Sequence, residues 1–139
     1  MTVKHDKLAN TITLSMPGYI RRVLARFKDW LGSHTAASPG VYKPPSYGAK
    51  VQKPVHDDTM PLSPADKTTL QEVVGSILYY ARAVDPKMLT ICNTISSEQA
   101  NPTEAVKAQA VRLLQYAARY PDNELVFHES KMQLILQAD

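Results

Sequence analysis

Ten prolines divide this chain into short segments, and their positions constrain the fold more than any other feature. Proline lacks a backbone N–H and its ring clashes with the preceding helical turn, so it can begin a helix but cannot continue one. Pro64, Pro86 and Pro102 each stand where a helix can begin, and Pro121 follows the last of them. The pattern therefore predicts three helices within residues 63–121.

The first of these helices has the most complete start signal. Ser63 can cap the helix, Pro64 takes the first helical position, and Asp66 supplies the acid of a capping box. Asn101, Pro102, Thr103 and Glu104 repeat this logic for the third helix. The apolar positions at helical spacing are Leu70, Val73, Val74, Ile77, Leu78 and Ala81, then Met88, Leu89, Ile91, Cys92 and Ile95, then Val106, Ala110, Leu113, Leu114 and Ala117.

Residues 32–62 break the helical pattern. Five prolines together with Gly40 and Gly48 leave no room for a long helix. The run Lys43–Tyr47, KPPSY, favours polyproline geometry. A structureless stretch of about thirty residues is unusual inside a compact domain, so this segment is either a functional excursion or a linker.

The N-terminal segment combines a hairpin with a basic helix. Residues 3–15 alternate in the manner of strands, and Ala9-Asn10 can form the turn. Ser15 is placed to cap a helix at 17–31 that ends at Gly32. The apolar stripe of this helix is Tyr19, Ile20, Val23, Leu24, Phe27 and Leu31.

The C-terminal residues predict a second hairpin, with strands at Glu124–His128 and Met132–Gln137 joined by Glu129–Lys131. The elements together predict a mainly α fold of the α+β class, a bundle of about four helices with small peripheral β-hairpins. The expected units are residues 1–31 (hairpin and basic helix), 32–62 (proline-rich loop or linker), 63–121 (three-helix region) and 122–139 (hairpin).

Charge is distributed unevenly along the chain. The net charge is +3. Residues 1–54 carry nine Lys and Arg against two Asp, a balance of +7, whereas residues 55–139 carry seven basic against eleven acidic side chains, a balance of −4. A basic half on a near-neutral chain favours a surface that faces a polyanion.

The basic helix carries the strongest local signal for binding. Arg22 and Arg26 are four residues apart and therefore share a helix face. With Arg21 and Lys28 they can contact successive phosphates without reading sequence, or they can form the solvated side of an amphipathic helix. Composition leaves both interpretations open. Two further candidate phosphate contacts are Lys43 in the loop and Arg82 on a later helix.

Tyr79 and Tyr80 are adjacent, so their rings point about 100° apart on a helix. One ring is predicted to lie in the core, and the other to have an exposed tip or to stack on a base or a partner. The following helix is apolar and offers only Lys87, Thr90 and Asn93 as base readers. Sequence-specific DNA binding is therefore not expected.

Other reactive side chains have ordinary structural interpretations. Asp57-Asp58 is a pair that can bind Mg²⁺, but no apolar strand positions it, and a solvated loop is the stronger interpretation. The four histidines are scattered. Cys92 is the single cysteine and lies on an apolar helix face, where it behaves as a small hydrophobic residue. We expect no metal and no cofactor.

Hydropathy bears on the location of the protein. No stretch approaches the roughly 18 apolar residues of a membrane-spanning helix. The N-terminal residues lack the apolar core of a signal peptide, and the single cysteine forms no internal disulfide. The expected location is intracellular, either cytoplasmic or nuclear.

Several segments, taken in order, resemble the reverse transcriptases of copia-type retrotransposons. Residues 14–20, LSMPGYI, followed by LARF at 24–27, are similar to the "LS…YI…LL.RF" run that follows the polymerase active site in that family. Residues 74–86, VGSILYYARAVDP, are similar to its "GSLLY…RPD" segment. The next helix of the family is matched by Asn101-Pro102-Thr103, Ala108 and the run RLLQY at 112–116.

The resemblance implies a segment that lies between two active sites. It comprises the end of the primer-gripping hairpin, the thumb, the connection and the start of ribonuclease H, in which Asp139 matches the first metal-binding aspartate. The YxDD polymerase motif and the remaining ribonuclease H carboxylates do not occur in this sequence. Catalysis by this chain is therefore not expected, and Mg²⁺ belongs to the parent enzyme only.

For function, the resemblance implies the holding of an RNA–DNA or DNA duplex through its backbone, without sequence specificity. The residues expected to bind nucleic acid are Arg21, Arg22, Arg26, Lys28, Lys43 and Arg82. Two alternatives stay open. One is a stand-alone helical module that binds itself, the rest of the polyprotein or another protein, and the other is a decayed retroelement remnant without activity.

Overall fold

The computed structural model describes residues 1–41, 48 and 57–130. In chain order these residues form strands β1 (Thr2–Asp6) and β2 (Thr11–Ser15), helices α1 (Tyr19–Arg26), α2 (Lys28–Leu31) and α3 (Pro64–Ala83), a 3₁₀ turn (Pro86–Met88), helices α4 (Leu89–Ser97) and α5 (Glu104–Arg119), and strand β3 (Glu124–His128). The predicted mainly α fold of the α+β class is confirmed.

Helix α3 is central, because α1, α4 and α5 all pack against it. It begins as the sequence predicts, with Pro64 in the first turn and Ser63 Oγ accepting a hydrogen bond of 3.1 Å from Asp66 N. The carboxylate of Asp66 faces α5, where Lys107 Nζ lies 3.1 Å away. The helical core is made of Leu70, Val73, Val74, Ile77, Tyr80, Ala81, Met88, Cys92, Ile95, Val106, Ala110, Leu113, Leu114, Tyr116 and Ala117.

The start of α5 is capped from outside the helix. Ala105 N donates to Thr59 Oγ1 at 3.1 Å, and Glu104 N donates to Met60 O at 2.9 Å. The hydroxyl of Thr103 donates to Asp57 and does not cap its own helix. The sequence therefore predicts the position of this helix start, whereas the capping groups come from a segment more than forty residues earlier.

The predicted cap at Ser15 is wrong, because Ser15 is the last residue of β2. The chain turns instead at Met16–Tyr19, where Tyr19 N donates to Met16 O at 3.1 Å. Pro17 and Gly18 occupy the two central positions of this turn, and Gly18 has φ 71° and ψ −1°. These angles are those of a type II turn, which needs the positive φ that glycine adopts without strain.

The single predicted helix at 17–31 is also wrong, because Phe27 divides it. Phe27 has φ −108° and ψ 29°, which ends α1, and α2 begins at Lys28. The ring of Phe27 is buried at the break. The change of direction lets α1 pack against α3 and α5 while α2 packs against α5.

The three strands form one antiparallel sheet in the order β1-β2-β3. The β1–β2 hairpin is confirmed, and its turn is held by Asp6 Oδ1, which accepts from Leu8 N and Ala9 N. The predicted strand Glu124–His128 is confirmed as well, and it pairs with β2. Its predicted partner at 132–137 lies outside the described residues.

Residues 36–40 of the proline-rich segment lie against the helices. Ala36 is buried and its N–H donates to Gln115 O on α5. Ser38 Oγ accepts a hydrogen bond of 2.9 Å from Arg112, and Gly40 lies beside Ile91. The polyproline prediction for Lys43–Tyr47 falls outside the described residues.

Candidate nucleic-acid interface

The exposed arc of α1 carries three of the predicted arginines. Ile20 and Val23 face the core. At 100° per residue, Arg21 and Arg26 point about 140° apart, with Arg22 close to Arg26. Arg26 therefore lies on the side of α1 toward α3, where it pairs with Glu72, whereas Arg22 lies next to it on the exposed arc and Arg21 lies on the opposite flank.

Helix α3 presents an exposed stripe beside this side of α1. Gly75, Tyr79 and Arg82 are all exposed and recur at spacings of four and three residues, so they share one face. A methyl group built on Gly75 would meet no atom within 4 Å apart from the adjoining residues and backbone of its own helix. We call the five residues Arg22, Arg26, Gly75, Tyr79 and Arg82 the α1–α3 surface.

Gly75 is the least expected member of this surface. Glycine inside a helix costs about 0.5–1 kcal/mol relative to alanine. No neighbour in the described part of the chain requires its small size, since the space above it is open. The glycine instead makes the middle of α3 flat, and a bulky partner can approach the helix backbone there.

A cluster of three tyrosines supports the same face. Tyr19 stacks on Tyr80 with ring centres 5.9 Å apart and lies 5.7 Å from the ring of Tyr79. The hydroxyl of Tyr19 donates to Ser76 O at 3.0 Å, which fixes α1 on α3. Tyr80 is buried and Tyr79 is 58% exposed, as the predicted division between core and surface requires. Burial raises the pKa of both Tyr19 and Tyr80.

Two of the arginines on α1 are held by carboxylates. Arg26 forms an ion pair of 2.9 Å with Glu72 on α3, and Arg21 forms one with Asp122 in the turn before β3. All four side chains are substantially exposed. Exposed pairs of this kind contribute about 0–1 kcal/mol, so a phosphate can displace the carboxylate at small cost.

The other candidate residues differ in position. Arg22, Lys28 and Arg82 are exposed and have no carboxylate within 4 Å among residues 1–41, 48 and 57–130. Lys28 lies on α2, beyond the break at Phe27. Lys43 and Asp139 lie outside the described residues.

A buried polar cluster fixes the end of α3 behind this face. Asp85 is 2% exposed and accepts a hydrogen bond of 2.6 Å from Asn123 Nδ2. Tyr116 OH lies 3.5 Å from the same carboxylate oxygen. Burial, together with the nearby carboxylate of Asp85, raises the pKa of Tyr116. The cluster joins α3, α5 and the approach to β3, so it has a structural role.

The remaining reactive residues are engaged structurally. Asp57 Oδ1 accepts from Thr59 N and Thr59 Oγ1. Burial raises the pKa of the Cys92 thiol to about 11, which keeps the thiol protonated and unreactive at neutral pH.

No group of three or more His, Cys, Asp or Glu side chains within the described ranges is arranged to hold a metal ion. In the same ranges, no helix has the length and apolar character needed to cross a membrane.

Searches against protein families, curated proteins and solved structures found no match to this chain. Sequence reasoning identified the arginines and Tyr79 but missed Gly75, Glu72 and Asp122. Gly75 is an isolated glycine within a strong helical pattern, and this feature of the sequence marks it as a candidate for a packing or functional role. The two carboxylates become part of the site only through the tertiary fold, and no local pattern marks them.

Proposed function

We propose that this chain is a non-catalytic segment of a copia-type reverse transcriptase polyprotein that holds an RNA–DNA or DNA duplex through its phosphate backbone. The resemblance described above supplies the family. The observation on which the function rests is the α1–α3 surface, which combines the exposed Arg22 and Arg26 of α1 with the exposed Gly75, Tyr79 and Arg82 on one face of α3.

The chemistry of this surface suits a duplex backbone. Arginine forms charge-assisted hydrogen bonds with phosphate oxygens and positions a duplex without reading its sequence. Gly75 leaves room for the backbone to approach α3, and the ring of Tyr79 supplies an apolar contact for a sugar or a base at the edge of the site. An intracellular location, cytoplasmic or nuclear, follows from such a partner.

Fluorescence anisotropy with a labelled RNA–DNA hybrid tests the proposal. We expect binding at low salt that is equally strong for hybrids of different sequence. The double variant Arg22→Ala/Arg26→Ala should weaken binding by about tenfold or more, since two phosphate contacts are lost. The matched control is Lys4→Ala/Lys7→Ala, which removes the same two charges from the β1–β2 hairpin and should change affinity much less. Equal losses in the two double variants would contradict the proposal.

Catalysis is a separate question with its own assay. The chain lacks the YxDD motif, so we propose that it neither extends a primer nor cleaves the RNA strand of a hybrid when Mg²⁺ is added. Primer extension or hybrid cleavage by the purified protein, retained after a second purification step, would contradict this assignment.

Self-association is a second candidate function, favoured by one face of the sheet. The register places Val3, Ile12, Leu14, Leu125 and Phe127 on the same face. Val3 is 59% and Phe127 51% exposed. Light scattering after size-exclusion chromatography tests this candidate. A dimer that becomes a monomer in Val3→Ser/Phe127→Ser would support it, and a monomer in the unmodified chain at high concentration would exclude it.

A further inference from the structure

Two arginines of the candidate interface are occupied by carboxylates in the free protein. Glu72 Oε2 lies 2.9 Å from Arg26, and Asp122 forms an ion pair with Arg21. The two pairs lie on opposite flanks of α1, one toward α3 and one toward the turn before β3. Arg22 lies between them and has no carboxylate within 4 Å in the described part of the chain.

We propose that Glu72 and Asp122 are internal competitors for the nucleic acid, which hold Arg26 and Arg21 in the free protein and release them to phosphate groups when a duplex binds. This inference rests on the proposed function. It adds a regulatory device at α1, because Arg26 of the α1–α3 surface and Arg21 on the opposite flank of the helix each exchange a carboxylate for a phosphate, whereas Arg22 has no carboxylate to release.

Because both ion pairs are exposed to solvent, the arginines can exchange partners without a rearrangement of the fold. The side chains are 66% and 48% exposed in the pair of Arg21 with Asp122, and 59% and 45% exposed in that of Arg26 with Glu72. Exposed ion pairs are weak and are screened by salt. A phosphate can therefore reach each guanidinium without any movement of the backbone, and the released carboxylate is solvated at once.

The competition also sets which anions the surface accepts. A single small anion can neutralise Arg22 but gains little by displacing one carboxylate. A duplex presents many phosphates at a regular spacing, so contacts at Arg22, Arg26 and Arg21 reinforce one another as linked binding events. The carboxylates thus favour a polyanion of duplex length over free phosphate or short oligonucleotides.

The test measures the affinity of the full chain for a labelled RNA–DNA hybrid in the single variants Glu72→Gln and Asp122→Asn. Asp29→Asn is the matched control, because Asp29 is exposed, lines the same groove as Arg26 and Glu72, and has no cation within 4 Å among the described residues. Each competitor variant should lower the Kd by about two- to fivefold, and the control should change it by less than half as much.

A double-mutant cycle separates release of the arginine from a general change of charge. In an Arg21→Ala background, Asp122→Asn should lose its effect, and in an Arg26→Ala background Glu72→Gln should lose its effect. The inference would be overturned if Glu72→Gln and Asp122→Asn raise affinity for the hybrid no more than Asp29→Asn does. It would also be overturned if their effect persists when the paired arginine is replaced by alanine.

The two proposals fail in different ways. If the unmodified chain binds the hybrid but Glu72→Gln and Asp122→Asn match the control, the proposed function stands and the competition is wrong. If neither the unmodified chain nor the two variants bind at low salt, both proposals are wrong. If only the variants bind, the carboxylates block the surface and are not displaced by a duplex, so the release proposed here and the duplex-holding role of the unmodified chain are both wrong.

Discussion

The side-chain amide of Asn123 donates a hydrogen bond of 2.6 Å to the buried carboxylate of Asp85. Asp85 follows the end of α3, and Asn123 immediately precedes β3. The neighbouring residue Asp122 pairs with Arg21 on α1. The link therefore joins the helical body, the sheet and one flank of the basic helix at a single place.

Removing this link should destabilise the fold. Asp85→Ala leaves the amide of Asn123 and the hydroxyl of Tyr116 without their buried acceptor, which costs about 1–3 kcal/mol. The exposed control Asp29→Ala should change the free energy of unfolding by less than about 0.5 kcal/mol. Urea unfolding monitored by circular dichroism measures both variants. Equal effects would show that the carboxylate of Asp85 has no structural role.

Gly75→Ala should separate stability from binding. The free energy of unfolding should rise by about 0.5–1 kcal/mol, because alanine favours the helix and its methyl group meets no neighbour. Affinity for the RNA–DNA hybrid should fall, since the methyl group occupies the flat part of the α1–α3 surface. A variant that is more stable and binds as well as the unmodified chain would show that the duplex does not approach α3 there.

Tyr79 and Tyr80 should respond in opposite ways to alanine substitution. Tyr80→Ala removes a fully buried ring and should cost about 3–5 kcal/mol of stability. Tyr79→Ala should change stability by less than about 1 kcal/mol, because the ring is largely exposed, and should weaken binding of the hybrid instead. Thermal unfolding and anisotropy measure the two effects. Unchanged binding in Tyr79→Ala would remove Tyr79 from the interface.

The buried thiol gives the stability a dependence on alkaline pH. Burial raises the pKa of Cys92 from 9.0 to about 11, so the folded chain holds this proton more tightly than the unfolded chain. The resulting contribution to stability is fully present below pH 9 and is lost as the pH rises through 11. The raised pKa values of Tyr80 and Tyr116 act in the same direction at higher pH.

Urea unfolding at a series of pH values between 8 and 11 measures this dependence. The free energy of unfolding should fall with rising pH in the unmodified chain and fall less in Cys92→Ala, where only the tyrosines contribute. Parallel curves for the two proteins would contradict the assignment to the thiol. Cys92→Ala also leaves a small cavity that lowers stability at every pH. The two proteins are therefore compared by the slope of the free energy of unfolding against pH and not by its absolute value.

Local signals predicted the helices well. Ser63 and Pro64 mark the start of α3 through short-range hydrogen bonding and a fixed φ, and these act in the same way in any tertiary context. The apolar stripes of α3, α4 and α5 predicted most of the core for a similar reason. At Ser15, a nearby Pro-Gly pair was the stronger signal, because it specifies a type II turn.

Features that depend on distant residues were not predictable in this way. The break at Phe27 places α2 on α5, and no local pattern specifies it. The pairing of β3 with β2 joins residues more than a hundred positions apart. The ion pairs of Arg21 and Arg26 depend equally on the fold, so the sequence identifies the basic residues of the candidate interface but not the carboxylates that pair with them.

The salt dependence of binding to an RNA–DNA hybrid tests the central claim most directly. Phosphate contacts release counterions, so the logarithm of the association constant should fall linearly with the logarithm of the salt concentration, by about 0.9 per contact on B-form DNA and by a comparable amount here. Arg22→Ala/Arg26→Ala should make this slope shallower by about two contacts, and Lys4→Ala/Lys7→Ala should leave it unchanged. Absence of binding at low salt, or one slope for all three proteins, would contradict a duplex-holding role for the α1–α3 surface.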